Sequence, residues 1–308
     1  MTACSDNTTA QNTTAQTTTE TSATTADNTT SAQTTVSENT TTAATTVTAS
    51  PTSPQESATT QNITTTTEKT AAPVTTKAVT TTTERTTAAT TTTVSTTTAE
   101  EKYIAFTFDD GPNTTTTVQV LDLLEKYGVV ASFFLVGNNI TDATAPVVKR
   151  AYDMGCEIDN HSQSHSYMNT MTADEITAEI NFTNQKIYDI IGKMPCFFRP
   201  PYIAVNSTMY EAIDLPFICG KGCNDWDASV TTERRINSVT RFTKNGLIVL
   251  LHDAQGNNQT VEALDTLIPQ LLADGYHFVT VTQLFEQFDI TPVQDGRIYS
   301  NVFQTGEY

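Results

Sequence analysis

The sequence predicts an α/β fold, a distorted (β/α) barrel of about seven strands, preceded by a long disordered Thr-rich segment. After residue 100, apolar strand-like runs alternate with amphipathic helical stretches, which is typical of a parallel sheet or barrel covered by helices. About seven strands are too few for a complete eight-stranded barrel, and an open doubly wound sheet is the alternative. Before residue 100, threonine dominates and hydrophobic periodicity is absent.

Residues 1–100 form the first segment of the predicted domain organisation. A Thr/Ser/Ala-rich stretch with so few large apolar side chains buries too little surface to offset its conformational entropy, so we expect a disordered linker. The N-terminal "MTACS" is similar to the end of a bacterial lipoprotein signal, which makes Cys4 a candidate lipid-anchored residue. We therefore expect an extracellular or cell-surface bacterial protein that meets the membrane only through an anchor at Cys4.

The charge of the chain limits its partners. It carries 34 acidic and 16 basic residues, a formal net charge of −18, and most of the acidic residues follow residue 100. Such a domain repels nucleic acids and anionic lipid surfaces, so we expect neither as a partner. No apolar run in the sequence is long enough for a membrane span. We expect the protein to be a monomer.

Four cysteines follow the linker: Cys156, Cys196, Cys219 and Cys223. An exported protein is permitted disulfides, but four cysteines allow three connectivities and the sequence does not choose among them. Cys219 and Cys223 flank a "GKG" turn that would let them pair. Cys156 and Cys196 lie in strand-like runs typical of small buried hydrophobic residues.

The first half of the domain alternates regularly between strand and helix. Strands are predicted at 103–108, 129–137 and 156–161, and helices at 116–128, 145–155 and 172–192. The strands are apolar or β-branched runs, whereas the helices carry apolar residues at helical spacing and each ends at a glycine. Thr172 and Glu175 have the spacing of a capping box at the start of the third helix.

The same alternation continues in the second half. Strands are predicted at 195–202, 215–220, 246–253 and 276–281, and helices at 207–213, 231–243, 260–275 and 282–288. The run "GLIVLLHD" is the clearest buried strand among them. The domain is therefore placed at 101–290, and residues 291–308 form a C-terminal extension.

Residues with catalytic chemistry follow the C-terminal ends of these strands, where parallel α/β folds place their sites. Three of the four histidines are among them. Adjacent residues of a regular strand point to opposite faces, so the paired acids reach one site only if the strand ends there, and Gly-Pro is a strong stop signal. The set comprises Asp109, Asp110, His161, His165, Arg199 and His252.

The segment "HSQSH" predicts a metal site. His161 and His165 are four residues apart, which places both imidazoles on one face of a single helical turn. A carboxylate from the first strand end completes a His-His-Asp set with open positions, typical of a catalytic rather than a structural site. One of the two acids then binds metal and the other takes a proton. The alternative is a pair of surface histidines.

Residues 101–290 resemble the polysaccharide deacetylases of the NodB-homology type, carbohydrate esterase family 4. Five motifs carry the resemblance in the family's order: "TFDDGP", "HSQSH", "RPPY", "NDW" and "LLH". The resemblance implies a metal-dependent deacetylase that hydrolyses acetyl groups with a metal-bound water, acting on N-acetylglucosamine polymers such as peptidoglycan or chitin. The "NDW" form is closer to the acetylxylan esterases of the family, so O-deacetylation is the alternative. A non-catalytic carbohydrate-binding relative is a third reading.

The resemblance also implies roles for the residues at the strand ends. Asp110, His161 and His165 would hold a divalent metal, zinc in the first place, with cobalt or nickel as alternatives. Asp109 would be the general base, paired with Arg199. The remaining roles are general acid for His252, oxyanion stabilisation by the backbone N–H of Tyr202, and substrate contacts by Trp226, Leu250 and Pro201.

One departure from the family pattern concerns the general acid. Many relatives carry an Asp four residues before the tryptophan of the fourth motif, and that Asp pairs with the acid histidine. Here the position is Gly222, and the candidates to replace the missing acid are Asp225, Asp227 and Asp253. Asp159 is expected to support the "HSQSH" segment.

Overall fold

The computed structural model describes residues 101–304. The predicted disordered linker, Cys4 and residues 305–308 lie outside the described residues. Seven α-helices occur in the described part of the chain, and all seven correspond to predicted helices. They are α1 (Thr116–Tyr127), α2 (Ala145–Asp153), α3 (Ala173–Ile191), α4 (Ser207–Ala212), α5 (Thr232–Phe242), α6 (Asn258–Ala273) and α7 (Val281–Gln287).

Eight strands are found between residues 101 and 304. They are β1 (Lys102–Asp109), β2 (Ser132–Leu135), β3 (Glu157–Asn160), β4 (Phe217–Ile218), β5 (Lys221–Gly222), β6 (Leu247–His252), β7 (Tyr276–Phe278) and β8 (Ile298–Tyr299). The main sheet has the parallel order β3-β2-β1-β6-β5, and β7 pairs with the first residues of β1. A second, two-stranded sheet joins β4 to β8 in parallel.

Short bridges close the two sheets into a ring. Phe198 bridges Asn160 at the end of β3 and Phe217 in β4. On the other side of β8, the Ile248 N–H in β6 donates to the Ser300 carbonyl at 3.2 Å. The strands therefore run around a distorted barrel, as the sequence predicts, with ordinary ladders on one side and isolated bridges on the other.

The predicted strand at 195–202 is wrong, because only Phe198 makes strand-type bridges there. Its prolines, Pro195, Pro200 and Pro201, have no backbone N–H to contribute to a ladder. The closing strand is instead β8, which lies within the predicted extension and packs Tyr299 into the barrel interior. Two residues are too few to produce a periodic signal in the sequence.

Alternation along β1 separates two apolar layers. Ile104, Phe106 and Phe108 lie in the cluster that the sheet shares with α1, α2 and α6. Ala105 faces the opposite way, into the barrel cluster that α7 completes. Since side chains alternate along a strand, Asp109 lies on the same inward face as Ala105. Among the described residues, no helix has the length and hydropathy of a membrane span.

Two of the cysteines are free thiols in the apolar interior. Cys156 and Cys223 are both buried, and burial raises their thiol pKa values to about 11 and about 12. This agrees with the prediction that Cys156 is a small buried hydrophobic residue. Because Cys223 is free, the disulfide between Cys219 and Cys223 is not formed.

Replacing Tyr299 by alanine should destabilise the domain strongly. The Tyr299 side chain is 2% exposed, and its ring meets Phe285 edge-on at 5.3 Å between centroids. Removal of a large buried aromatic ring typically costs about 3–5 kcal/mol, and urea unfolding of the full chain would measure the loss. Val293→Ala is the control, because Val293 is exposed and close to Tyr299 in sequence. Equal stabilities for the two variants would contradict the closure of the barrel by β8.

Candidate active site

The end of β1 directs two adjacent carboxylates to one place. Asp109, the last residue of the strand, points inward and is 2% exposed. Asp110 then adopts a left-handed backbone with φ of 75°, which ends the strand and turns the chain. Asp109 Oδ2 lies 3.6 Å from His161 Nε2, and Asp110 Oδ1 lies 3.3 Å from His165 Nε2. β1 therefore ends at Asp109, as predicted from the requirement that both adjacent acids reach one site.

The loop after Asp110 is fixed to the end of β6. Asn113 donates from Nδ2 to the Asp253 carbonyl at 2.7 Å, while its Oδ1 accepts the N–H groups of Thr115 and Thr117. Gly111 is required because a Cβ there would lie 2.7 Å from Asp253 Oδ2. Burial raises the pKa of Asp253 to about 7. Asp253 therefore supports the first motif and does not pair with His252.

Arg199 holds Asp109 in the barrel interior. Arg199 Nη1 donates to Asp109 Oδ1 at 2.5 Å, both side chains are buried, and the guanidinium lies 4.0 Å from the centroid of the Phe134 ring. Burial by itself would raise the pKa of the Asp109 carboxyl. The positive charge of Arg199 and its hydrogen bond lead the opposing effects, and the pKa of Asp109 stays below its usual value. Asp109 is thus an ionised carboxylate in a buried position.

The predicted helical turn at "HSQSH" is wrong. Residues 161–165 form a loop in which Ser162 and His165 have left-handed backbones, with φ of 67° and 56°. Glu179 on α3 accepts the N–H groups of Gln163 and Ser164 at 2.9 and 2.8 Å, and Asn160 Oδ1 accepts the Ser162 N–H at 2.7 Å. The two histidines converge because the loop is held by polar contacts, although the sequence spacing alone is compatible with a helix.

Asp110, His161 and His165 form a candidate metal centre. One ligand atom from each lies within 4.8 Å of the others. The His161 Nδ1–H is placed to donate to the Arg199 carbonyl at 2.6 Å, which leaves the Nε2 lone pair for a metal. Burial lowers the pKa of His161 and favours the neutral ring. Within residues 101–304, Asp110 Oδ1 is buried without a hydrogen-bond partner, which fits a carboxylate oxygen reserved for a cation.

His252 lies across from this centre on the neighbouring strand. It pairs in register with Asp109, so both side chains lie on the inward face of adjacent strands. Its partner is Asp225: Asp225 Oδ1 lies 2.8 Å from His252 Nδ1, and Oδ2 accepts the His252 N–H at 2.8 Å. His252 therefore has a carboxylate partner although position 222 is a glycine. That partner is Asp225, the residue directly before Trp226. Burial lowers the pKa of His252, but the bond to Asp225 and its charge outweigh this and raise the pKa to about 9.

The other predicted site residues differ in exposure. Trp226 and Tyr202 are exposed, at 66% and 54%, and the Tyr202 ring lies 4.7 Å from that of His165. Leu250 is half-buried on β6 and packs against Gly220 and Gly222, while Pro201 is buried. Their predicted contacts with substrate remain predictions.

Several residues that shape the site were absent from the sequence prediction or misplaced in it. Glu179 and Asn113 hold the two motif loops by accepting backbone N–H groups. Asn113 directly follows the first motif, whereas Glu179 lies on α3 and no sequence signal marks it. Asp159 does not support "HSQSH" directly: its Oδ1 accepts the N–H groups of Cys196 and Phe197. It thus orders the segment that leads into Arg199.

The site combines an ionised carboxylate, Asp109, with a candidate metal centre and a histidine of raised pKa, His252, on the adjacent strand. This combination is typical of a hydrolase that activates water and protonates a leaving group. The family profile described as polysaccharide deacetylase matches residues 96–217. With the relatives described next, this match shows that the chain belongs to the polysaccharide deacetylase family, carbohydrate esterase family 4.

The relatives include proteins with different substrates in their names. Over 202 residues the chain is 51% identical to a bifunctional xylanase/deacetylase of Pseudobutyrivibrio xylanivorans, covering 66% of this chain and 33% of that protein. It is 37% identical over 192 residues to a peptidoglycan-N-acetylglucosamine deacetylase of Bacillus cereus, covering 60% of this chain and 88% of that protein. The chain thus spans about a third of the first relative.

A solved structure agrees with the fold. A family 4 acetyl xylan esterase from Clostridium thermocellum, in complex with a cobalt ion, matches with a TM-score of 0.64 and 41% identity. The match covers 66% of this chain and all of that one (100%).

Asp225→Asn should lower the pKa of His252 from about 9 towards its usual value of 6.5, because burial is then opposed only by the charges of Asp109 and Asp110. A pKa raised by folding gives stability that is fully present below about pH 6.5 and is lost as the pH rises through about 9. The unaltered chain should lose up to about 3 kcal/mol across this window from His252, and the variant should lack this loss. Urea unfolding at both pH values measures the difference. Parallel pH profiles would contradict the pairing.

Proposed function

We propose that this chain is a metal-dependent deacetylase of acetylated polysaccharides, with O-acetylated xylan as its favoured substrate. The observation that carries the proposal is the pairing of Asp109 with His252 on adjacent strands, beside Asp110, His161 and His165. A base and an acid on either side of one centre are what acetyl hydrolysis requires.

The residues divide the reaction between them. Asp110, His161 and His165 would hold a divalent cation, which would supply a Lewis acid and lower the pKa of a bound water. Asp109, kept ionised by Arg199, accepts the proton of the attacking water. The backbone N–H of Tyr202 is the proposed donor to the oxyanion, and such a donor typically contributes a few kcal/mol. His252, protonated through its bond to Asp225, delivers a proton to the leaving sugar oxygen or nitrogen.

The choice between O-acetyl and N-acetyl substrates rests on the relatives. Identity is higher to the xylanase/deacetylase, at 51%, and to the acetyl xylan esterase, at 41%, than to the peptidoglycan deacetylase, at 37%. We therefore place acetylated xylan first. N-acetylglucosamine polymers are the second candidate, favoured by the Bacillus cereus relative, whose length the match covers almost completely.

Exposed aromatic rings beside the centre support a polysaccharide substrate. Tyr167 and Tyr202 stack with centroids 4.0 Å apart and ring planes 16° apart, and each is 54% exposed. Trp226 is exposed on the loop that carries Asp225. Flat aromatic faces pack well on the C–H faces of sugar rings, and Tyr202 and Trp226 lie beside the proposed metal ligand His165 and the acid partner Asp225.

We also propose that the chain acts at the bacterial cell surface as a monomer. Access to an external polymer requires export, and the triplet that ends at Cys4 offers the means of attachment. Membrane fractionation and intact-mass measurement of the protein from its native host would test both the location and the lipid.

Asp109→Asn should abolish acetate release from acetylated xylan while cobalt binding stays intact, because the amide cannot accept a proton and Asp109 is not a predicted ligand. Asp110→Ala should abolish both. Cobalt binding is measured by calorimetry on the full chain after chelation, and acetate release by an enzymatic assay.

A chelator should remove activity from the unaltered chain, and added zinc or cobalt should restore it. Chelator-insensitive release would contradict the metal requirement. Near-normal turnover by Asp109→Asn would contradict the assignment of the base, and release from chitooligosaccharides alone would reverse the substrate order.

Tyr167→Ala should raise KM for acetylated xylo-oligosaccharides by up to about tenfold, since an aromatic contact typically contributes about 0.5–1.5 kcal/mol. Activity on a small aryl acetate should not change, because it does not reach Tyr167. Tyr188→Ala is the matched control, a tyrosine of similar exposure on α3. Equal KM values for the two variants on the oligosaccharide would remove Tyr167 from the substrate surface.

A further inference from the structure

Arg235 on α5 is a buried cation without a carboxylate partner. It is 1% exposed, and within residues 101–304 none of its hydrogen bonds goes to a carboxylate. An arginine has five N–H donors, and here all five are bonded to neutral acceptors. The acceptors are the carbonyls of Val230 and Asp227 and the side-chain oxygens of Asn257, Gln259 and Thr260.

Two of these acceptors lead to His252. Thr260 Oγ1 accepts from Arg235 Nη1 at 2.8 Å and donates to Asp225 Oδ2 at 2.8 Å. Asn257 accepts from the same Nη1 and donates from Nδ2 to the His252 carbonyl at 2.9 Å. A hydroxyl has a single proton, so the bond from Arg235 to the Thr260 oxygen leaves that proton to point at Asp225.

The remaining bonds fix the loop that carries Asp225. Arg235 Nη2 donates to the Asp227 carbonyl at 3.2 Å, and Nε donates to the Val230 carbonyl at 2.9 Å. The guanidinium thus joins this loop to the start of α6. Its fork geometry makes this possible, because an ammonium group has only three donors and no fixed plane.

We propose that Arg235 is a positioning residue for the general acid: through Thr260 it fixes Asp225 against the His252 ring. The inference rests on the proposed function for its catalytic meaning. The charged groups that act on His252 are Asp225, Asp109 and Asp110, and burial opposes all three. Of these, Asp225 alone makes a hydrogen bond to the ring, so its orientation decides how strongly the proton is held.

The test is the titration of the His252 ring, followed by NMR in the full chain, together with the pH profile of kcat. Arg235→Met should lower the titration midpoint by about one pH unit or more, and the alkaline limb of kcat should move with it. Arg235→Lys should behave like Arg235→Met, because charge without the fork does not hold the loop. Arg234→Met, an exposed neighbour on the same helix, should leave both unchanged.

Substitutions at Thr260 test the route and remain informative if Arg235→Met fails to fold. Thr260→Val should lower the midpoint in the same direction, and Thr260→Ser should restore it. The double variant Arg235→Met/Thr260→Val should lower the His252 titration midpoint no further than Arg235→Met alone, since both substitutions act through the contact between Thr260 and Asp225.

An unchanged midpoint in Arg235→Met or Thr260→Val, or a normal midpoint in Arg235→Lys, would overturn the inference. The titration does not depend on turnover. If the unaltered chain released no acetate while Arg235→Met still lowered the midpoint, the proposed function would fail and the positioning role would stand.

Discussion

The buried contact between the Arg199 guanidinium and the Asp109 carboxylate is the interaction on which the site depends. A charge inside a protein is tolerated when it is paired and hydrogen-bonded, and each of these two groups provides that for the other. Arg199 also accepts the Nδ1–H of His161 with its carbonyl. Arg199 therefore keeps the proposed base, Asp109, ionised and orients the ring of the proposed metal ligand His161. The same residue thus positions both the proposed base and one ligand of the metal centre.

Backbone geometry at the strand ends makes this arrangement possible. Asp110, Ser162, His165 and Tyr202 are non-glycine residues with left-handed backbones, and all four lie in the motifs that form the site. Such conformations cost about 1–3 kcal/mol each and persist only where surrounding contacts hold them. The contacts are visible at "HSQSH", where Glu179 and Asn160 bind the loop N–H groups. The site is thus held by its neighbours and not by local preference.

This explains which features could be predicted from the sequence. The seven helices and the long strands follow from periodicity. Positions after strands indicate the two histidines and the paired acids, but the choice of Asp110 as the ligand follows from the family resemblance. The prediction of a strand at 195–202 is wrong because prolines interrupt the apolar run and cannot donate to a ladder. The sequence does not predict β8, because a strand of two residues shows no periodicity. Histidine spacing alone predicts a helical turn at "HSQSH", because it carries no information about the contacts that Glu179 makes from α3. Asp225 was one of three candidates, and only tertiary contacts distinguish it.

The groups proposed for chemistry and those proposed for substrate recognition differ in exposure. Asp109, Arg199 and Asp225 are at most 2% exposed, whereas Tyr202 and Trp226 are more than half exposed. Removing a proton from water and returning one to a leaving atom is the same task for an acetyl ester and an acetamide. The buried groups therefore carry little information about the sugar. An exposed ring can be replaced without leaving a buried charge unpaired, but Asp109 or Arg199 cannot. Discrimination between xylan and N-acetylglucosamine polymers is thus expected at the exposed rim, where sequence change costs the fold least.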